Sequence, residues 1–113
     1  MVVTTEFCLV LSTCPDEDAA RSLARGLVAE RLAACVNIVP GLLSVYRWQG
    51  EIDTASEHLL VIKTESAAFE AVKSYLCRHH PYELPEIVAV PIGGGSPEYL
   101  DWLSACLRPE SAS

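Results

Sequence analysis

The chain has 113 residues, a length that predicts one domain, and half of its residues are apolar. A chain this short buries only about two-thirds of its unfolded surface, so this apolar content indicates that other subunits cover part of it. The net charge is −7 and the eight Lys and Arg residues are spread singly, which argues against nucleic acid and anionic membranes as partners.

The five cysteines form no CxxC pair. An odd number of cysteines, an N-terminus unlike a signal peptide and the absence of an apolar run of about 20 residues predict a soluble protein of a reducing compartment. We therefore expect a cytoplasmic location and no membrane partner.

The first two predicted elements are a strand and a helix. Residues 7–13 form a nearly continuous apolar run, which predicts a strand covered on both faces. From Ala19 to Leu32 the apolar residues recur at helical spacing and predict an amphipathic helix. Residues 16–18 place three carboxylates in its first turn, where the helix dipole favours them.

A long hairpin is predicted next. Residues 35–48 read as one strand with a bulge or bend at Pro40-Gly41, and Gln49-Gly50 is a plausible two-residue turn. The second strand begins at Glu51 or Ile52 and runs to Thr64. Both strands exceed the usual length of about five to six residues. The outer half of such a hairpin exposes unpaired edges unless another subunit pairs with them.

A second helix and a further strand follow the hairpin. Ser66 is the expected N-cap of the helix, which ends at about His79 or His80. Residues 87–92 predict another strand, with Pro91 at an edge or a strand end.

Ser96 and Pro97 are typical of a helix start and open a last helix through Leu107. The order is β-α-β-β-α-β followed by an extra helix, which predicts an α+β fold of the ferredoxin-like kind. We expect a single domain over residues 1–113, with its core at about 7–107 and a tail at 108–113.

The loop of residues 79–87 is the first candidate site, because it holds two imidazoles, a phenol and two carboxylates. His79 and His80 are candidate ligands of a soft or borderline cation, with sulfur from Cys14 or Cys8 and oxygen from Glu83. The alternative is that the two histidines only end a helix, where cationic groups suit the dipole.

A second candidate is an ionised cleft. Glu57 and Lys63 lie six residues apart on one strand, so their side chains share a sheet face. An inter-subunit salt-bridge network is the alternative interpretation. The cleft set is Trp48, Glu57, Lys63, Tyr82, Glu83 and Glu86.

Two further motifs give weaker indications of a functional site. Gly93-Gly94-Gly95-Ser96 lies between a strand and a helix but lacks the lysine of a phosphate-binding P-loop, so a plain turn is expected. No cysteine lies in an activating context and no nucleophile–base pair is visible, so we do not expect an enzyme.

Several unusual segments occur in order and at ordinary spacings. They are residues 32–38 (LAACVNI), Ser44-x-Tyr46-x-Trp48-x-Gly50, His80-Pro81-Tyr82-Glu83-x-Pro85-Glu86 and Tyr99-Leu100-x-Trp102-Leu103. In these segments the sequence resembles the CutA family of divalent-cation tolerance proteins.

The resemblance implies a ferredoxin-like subunit in a tight homotrimer that binds Cu²⁺ or another divalent cation and acts in metal tolerance, with no established catalytic activity. The family's copper ligands fall on His79, on His80 and on a cysteine whose position is held here by Ser12. Cys14 stands two residues later and is the candidate sulfur ligand. The cleft set maps near the subunit interface. Two alternative functions are a PII-like sensor with a ligand cleft between subunits and a stable trimeric scaffold.

Overall fold

The computed structural model describes residues 6–109, so the first five residues and the tail from Glu110 lie outside the described chain. A 3₁₀ turn at Ser66–Ala68 precedes the second helix. The elements are β1 (Phe7–Cys14), α1 (Glu17–Ala29), β2 (Cys35–Trp48), β3 (Glu51–Glu65), α2 (Phe69–His79), β4 (Val88–Pro91) and α3 (Pro97–Cys106).

The strands form one antiparallel sheet in the order β2-β3-β1-β4. β1 pairs with β3 from Phe7↔Glu65 to Cys14↔His58. The four-stranded sheet with three helices confirms the predicted α+β class. Pro91 is the last residue of the edge strand β4, as its missing N–H suggested.

The helices α1 and α2 pack on one face of the sheet. Burial along β1 alternates, and its buried side chains join those of both helices in the core. The prediction that β1 is covered on both faces is therefore wrong for the described chain. We call the opposite side, which carries Leu9, Leu11, Val61, Val88 and Val90, the open face. Its strands are apolar without being enclosed.

The hairpin has the predicted form. Gln49 and Gly50 have φ angles of 50° and 82°, as a two-residue turn requires. The register shifts between Val39 and Leu42, and Gly41 lies in the bulge with a φ of 76°, which glycine adopts without strain. Beyond the bulge the hairpin extends away from the core. Its apolar side chains there are solvent-exposed: Leu43 and Val45 are 65% and Ile52 is 72% accessible.

Helix ends differ from the predictions at two places. The Asp16 carboxylate accepts a 2.8 Å hydrogen bond from the Ala19 N–H and caps α1, which ends three residues before the predicted Leu32. Ser66 does not cap α2, because the 3₁₀ turn at Ser66–Ala68 comes first and the helix begins only at Phe69. The Ser66 N–H donates to the Glu6 carbonyl at 2.8 Å and continues the β1–β3 pairing.

The third helix covers one end of the open face. Its Ser96 hydroxyl accepts from the Tyr99 N–H at 3.4 Å, so the predicted cap is present. Ser104 and Arg108 both donate to the Glu65 carboxylate at 2.8 Å, which ties the start of the predicted tail to β3. Within residues 6–109, no helix is long and apolar enough to cross a membrane.

Candidate functional site

The end of β1 meets the end of α2, and this junction brings a thiol and an imidazole together. Cys14 Sγ lies 3.9 Å from His80 Nε2. Cys14 is fully buried and His80 is only 8% accessible. Two of the three predicted metal ligands are therefore in contact, although 66 residues separate them in the sequence.

Pro81 determines how His80 is presented. A residue before proline avoids the helical region, and His80 accordingly has φ −71° and ψ 139°, which ends α2. Its Nδ1 accepts from the Tyr82 N–H at 3.0 Å, and Nε2 lies 2.8 Å from the Thr13 carbonyl. Because a carbonyl can only accept, Nε2 carries the proton and the ring is neutral.

Burial governs the protonation of both groups. It lowers the pKa of His80, although the Thr13 carbonyl and the Glu57 charge act in the opposite direction. Burial, followed by the charges of Asp16 and Glu57, raises the pKa of Cys14 to about 11. The junction thus holds a protonated thiol and a neutral imidazole, so Cys14 is not an activated nucleophile.

The third predicted ligand lies elsewhere. His79 is exposed on the last turn of α2, where its ring centroid is 4.3 Å from that of Tyr75. Cys8 points to the same sheet face as Cys14 but lies six residues earlier on β1. Among residues 6–109, no three His, Cys, Asp or Glu side chains converge as a metal site. A single chain thus presents two converging donors.

Ser12, two residues before Cys14 on β1, faces the same core. It is fully buried, and its hydroxyl has no hydrogen-bond partner among the described residues. A serine that satisfies neither its donor nor its acceptor costs stability.

Tyr82 connects His80 to Glu57, whose side chain lies on the other face of the sheet. Its hydroxyl donates a 2.8 Å hydrogen bond to Glu57 Oε2, and its ring centroid lies 4.9 Å from that of His80. Burial and the neighbouring carboxylate raise the pKa of Tyr82. A line of contacts therefore runs from Cys14 through His80 and Tyr82 to Glu57.

Of the predicted cleft set, only Tyr82 and Glu57 are in contact within one chain. Glu57 and Lys63 share a face as expected, but six residues of strand separate them by roughly 20 Å. The Lys63 ammonium instead lies 5.7 Å from the centre of the Tyr99 ring. Trp48 lies beside the turn of the hairpin.

The two remaining members of the cleft set are on the surface. Glu83 and Glu86 are exposed and form no ion pair within residues 6–109. One chain therefore brings together Tyr82 and Glu57 and leaves the other four members apart.

Two residues near the junction were not predicted. Tyr46 lies close enough to raise the pKa of Tyr82. His58 pairs with Cys14 across β1 and β3, and its Nδ1 is buried with no hydrogen-bond partner in residues 6–109. The register of the β1–β3 pair would have revealed His58, but the sequence does not specify that register.

Residues 8–106 match the family model described as CutA1 divalent ion tolerance protein. The chain belongs to the CutA1 family. A relative from Thermus thermophilus named divalent-cation tolerance protein CutA is 58% identical over 95 residues, which cover 84% of this chain and 92% of the relative. The chloroplastic protein CutA of Arabidopsis thaliana is 45% identical over 93% of this chain and 58% of its own length.

Solved structures of CutA proteins share the fold. The Xylella fastidiosa CutA structure has a TM-score of 0.90 at 47% identity and covers 92% of this chain and all of its own. The Thermus thermophilus structure has a TM-score of 0.86 at 56% identity, covering 88% of this chain and 96% of that one. The family is thus one of divalent-ion tolerance proteins, and a divalent cation is the ligand class that it indicates.

Proposed function

We propose that this chain is a non-enzymatic, homotrimeric protein of the cytoplasm that binds Cu²⁺ or another divalent cation in metal tolerance. The observation that carries the proposal is the 3.9 Å separation of Cys14 Sγ and His80 Nε2. Membership of a divalent-ion tolerance family supports the class of ligand.

The separation suits one bound ion. A metal about 2.3 Å from sulfur and about 2.0 Å from nitrogen leaves these atoms roughly 3.5 to 4.3 Å apart, for angles from tetrahedral to linear. Thiolate and imidazole together favour copper and zinc over magnesium or calcium.

Binding requires local changes. Cys14 must lose its proton, and His80 Nε2 must exchange the Thr13 carbonyl for the metal. His79 would complete the set only after its ring leaves Tyr75. These costs limit the affinity for the metal. We therefore expect that replacing any one of the three side chains changes the affinity measurably.

Two surfaces support a homotrimer of ferredoxin-like subunits. The open face exposes Val88 and Val90, and the outer hairpin exposes Leu43, Val45 and Ile52. Monomeric domains seldom expose contiguous apolar surface of this kind. The strand order β2-β3-β1-β4 is consistent with the ferredoxin-like arrangement. The cleft set would then draw its members from neighbouring subunits.

A titration tests the metal site. Zn²⁺, and Cu²⁺ under argon, are titrated by calorimetry into the parent chain and into Cys14→Ser, His80→Ala and His79→Ala variants. We expect stoichiometric binding that Cys14→Ser and His80→Ala each weaken at least about tenfold, with a smaller loss for His79→Ala. Equal affinity in the parent and the Cys14→Ser/His80→Ala double variant would refute the site.

Light scattering tests the assembly separately. We expect the mass of three chains at micromolar concentration and a smaller species for an Ile52→Asp variant, because a charge would be buried in the contact. A folded monomer of the parent chain would contradict the trimer and leave the metal test unaffected.

A further inference from the structure

A groove on the helix side of the molecule lies apart from the contact between Cys14 and His80. It runs between α1 and the bulged edge strand β2, with a volume of about 340 Å³. Its lining includes Glu17, Arg21, Arg25, Ile38, Pro40 and His58. The groove opens where the register of β2 shifts after Val39.

The groove concentrates positive charge in an acidic chain. The net charge is −7, yet Arg21 and Arg25 stand one helical turn apart along the groove. Like charges at this spacing repel each other by a few tenths of a kcal/mol. Arg25 forms no ion pair within residues 6–109, and Arg21 has only an exposed contact with Glu17 at 3.7 Å. An anion held between the two guanidinium groups would offset their repulsion.

His58 adds an imidazole to the groove. Its Nδ1 is buried with no hydrogen-bond partner among the described residues, and the residue lines the groove. An imidazole nitrogen that carries a proton can donate a hydrogen bond to an anion. Nitrogen-bearing side chains of α1 and β3 are thus combined in one concave surface.

The remaining lining sets the size and character of the ligand. Ile38, Pro40 and Ala24 supply an apolar side to the groove. The volume is at the low end of that of small-molecule sites. The groove therefore suits a small molecule with one oxyanion head and a short apolar stem.

We propose that the groove between α1 and β2 binds a small oxyanion, a carboxylate or a phosphate, between Arg21, Arg25 and His58. Guanidinium groups pair with both anions through two parallel N–H···O hydrogen bonds, so the head group alone does not distinguish them. The site goes beyond the proposed metal function and uses none of its ligands.

The test is an amide NMR titration of the full, metal-free chain with butyrate in one arm and inorganic phosphate in the other. We expect saturable shifts confined to the groove in at least one arm. A stronger response to butyrate assigns the site to carboxylates with an apolar stem, and a stronger response to phosphate assigns it to phosphates.

Matched variants distinguish anion binding in the groove from nonspecific electrostatic attraction to the protein surface. Arg25→Gln should weaken binding about fivefold, whereas Arg78→Gln, which removes an exposed arginine of α2, should leave it unchanged. Glu17→Gln should tighten binding, and Glu70→Gln, an exposed carboxylate of α2, should not. Non-saturable shifts in both arms, or equal effects of Arg25→Gln and Arg78→Gln, would overturn the proposal. All four positions are exposed, and unchanged amide spectra outside the groove confirm that the variants fold.

Discussion

The Tyr82 hydroxyl donates a 2.8 Å hydrogen bond to Oε2 of Glu57, and this bond joins the loop after α2 to the base of the long hairpin. Glu57 is only 8% accessible, so this hydroxyl replaces much of the hydration that its carboxylate loses. The contact also places Tyr82 beside His80, whose Nδ1 accepts the Tyr82 N–H. The stability of the hairpin base and the orientation of the His80 imidazole are therefore linked.

Replacing Tyr82 by Phe should destabilise the chain by about 1–3 kcal/mol, because it leaves a buried carboxylate without its donor. Chemical denaturation measures the change in the free energy of unfolding. Tyr46→Phe is the matched control, since Tyr46 is more exposed and has no hydrogen bond among the described contacts. If both variants lost the same stability, the Tyr82–Glu57 bond would not be the cause.

Ser12→Ala should stabilise the chain by about 1 kcal/mol, because it removes a buried hydroxyl that has no partner in the part of the chain that the structure describes. Thr64→Val is a control of opposite sign: Thr64 is equally buried, but its hydroxyl donates to the Leu32 carbonyl at 2.7 Å. Its loss should cost about 1 kcal/mol. A Ser12→Ala variant less stable than the parent would show that the hydroxyl is satisfied in solution.

Gly26→Ala should destabilise the chain, although alanine is usually favoured over glycine within a helix by about 1 kcal/mol. A Cβ at Gly26 would overlap the Tyr75 hydroxyl and lie 2.7 Å from its Cζ, and Tyr75 is buried. We expect a loss of about 1–3 kcal/mol, which is typical of overpacking. Tyr75→Phe in the same chain should recover part of it, and additive effects of the two changes would contradict this account.

The contact between Arg108 and Glu65 should make the free energy of unfolding depend on pH in the acid range. Its hydrogen bond and charge, with the Ser104 hydroxyl, lower the pKa of Glu65 below the ordinary value of 4.5. A lowered folded-state pKa stabilises the chain above the unfolded-state pKa, and this contribution disappears as the pH falls through the folded-state pKa.

Arg108→Ala should therefore destabilise the chain at neutral pH and progressively less below pH 4.5. Denaturation at a series of pH values measures this difference. Lys73→Ala is the control, because its contact with Glu70 is 3.8 Å long and exposed on both sides. A cost for Arg108→Ala that did not shrink in acid would exclude the Glu65 pair as its source.

Local signals were sufficient to predict much of the fold. The glycines of the bulge and of the turn define the hairpin, because Gly41 and Gly50 adopt positive φ angles there. Ser66 was wrongly predicted as the cap of α2, because a 3₁₀ turn over Ser66–Ala68 separates it from the helix, and the local pattern does not distinguish this turn from a first helical turn.

The candidate site was predictable in part. The sequence identified Cys14, His79 and His80 as ligand candidates and included Tyr82 and Glu57 in the cleft set, but it could not show which side chains meet. Adjacent histidines diverge here because Pro81 holds His80 in an extended conformation while His79 remains on the helix. Even spacing placed Glu57 and Lys63 on one face without indicating that about 20 Å of strand separates them.

X-ray absorption at the zinc edge of the Zn²⁺-loaded chain tests most directly the claim that Cys14 and His80 hold one metal ion. We predict one sulfur neighbour at about 2.3 Å together with nitrogen at about 2.0 Å. The sulfur signal should vanish in Cys14→Ser and persist in Cys8→Ser, which replaces another buried cysteine of β1. A spectrum of the parent without sulfur, or a sulfur signal that survives Cys14→Ser, would contradict the claim.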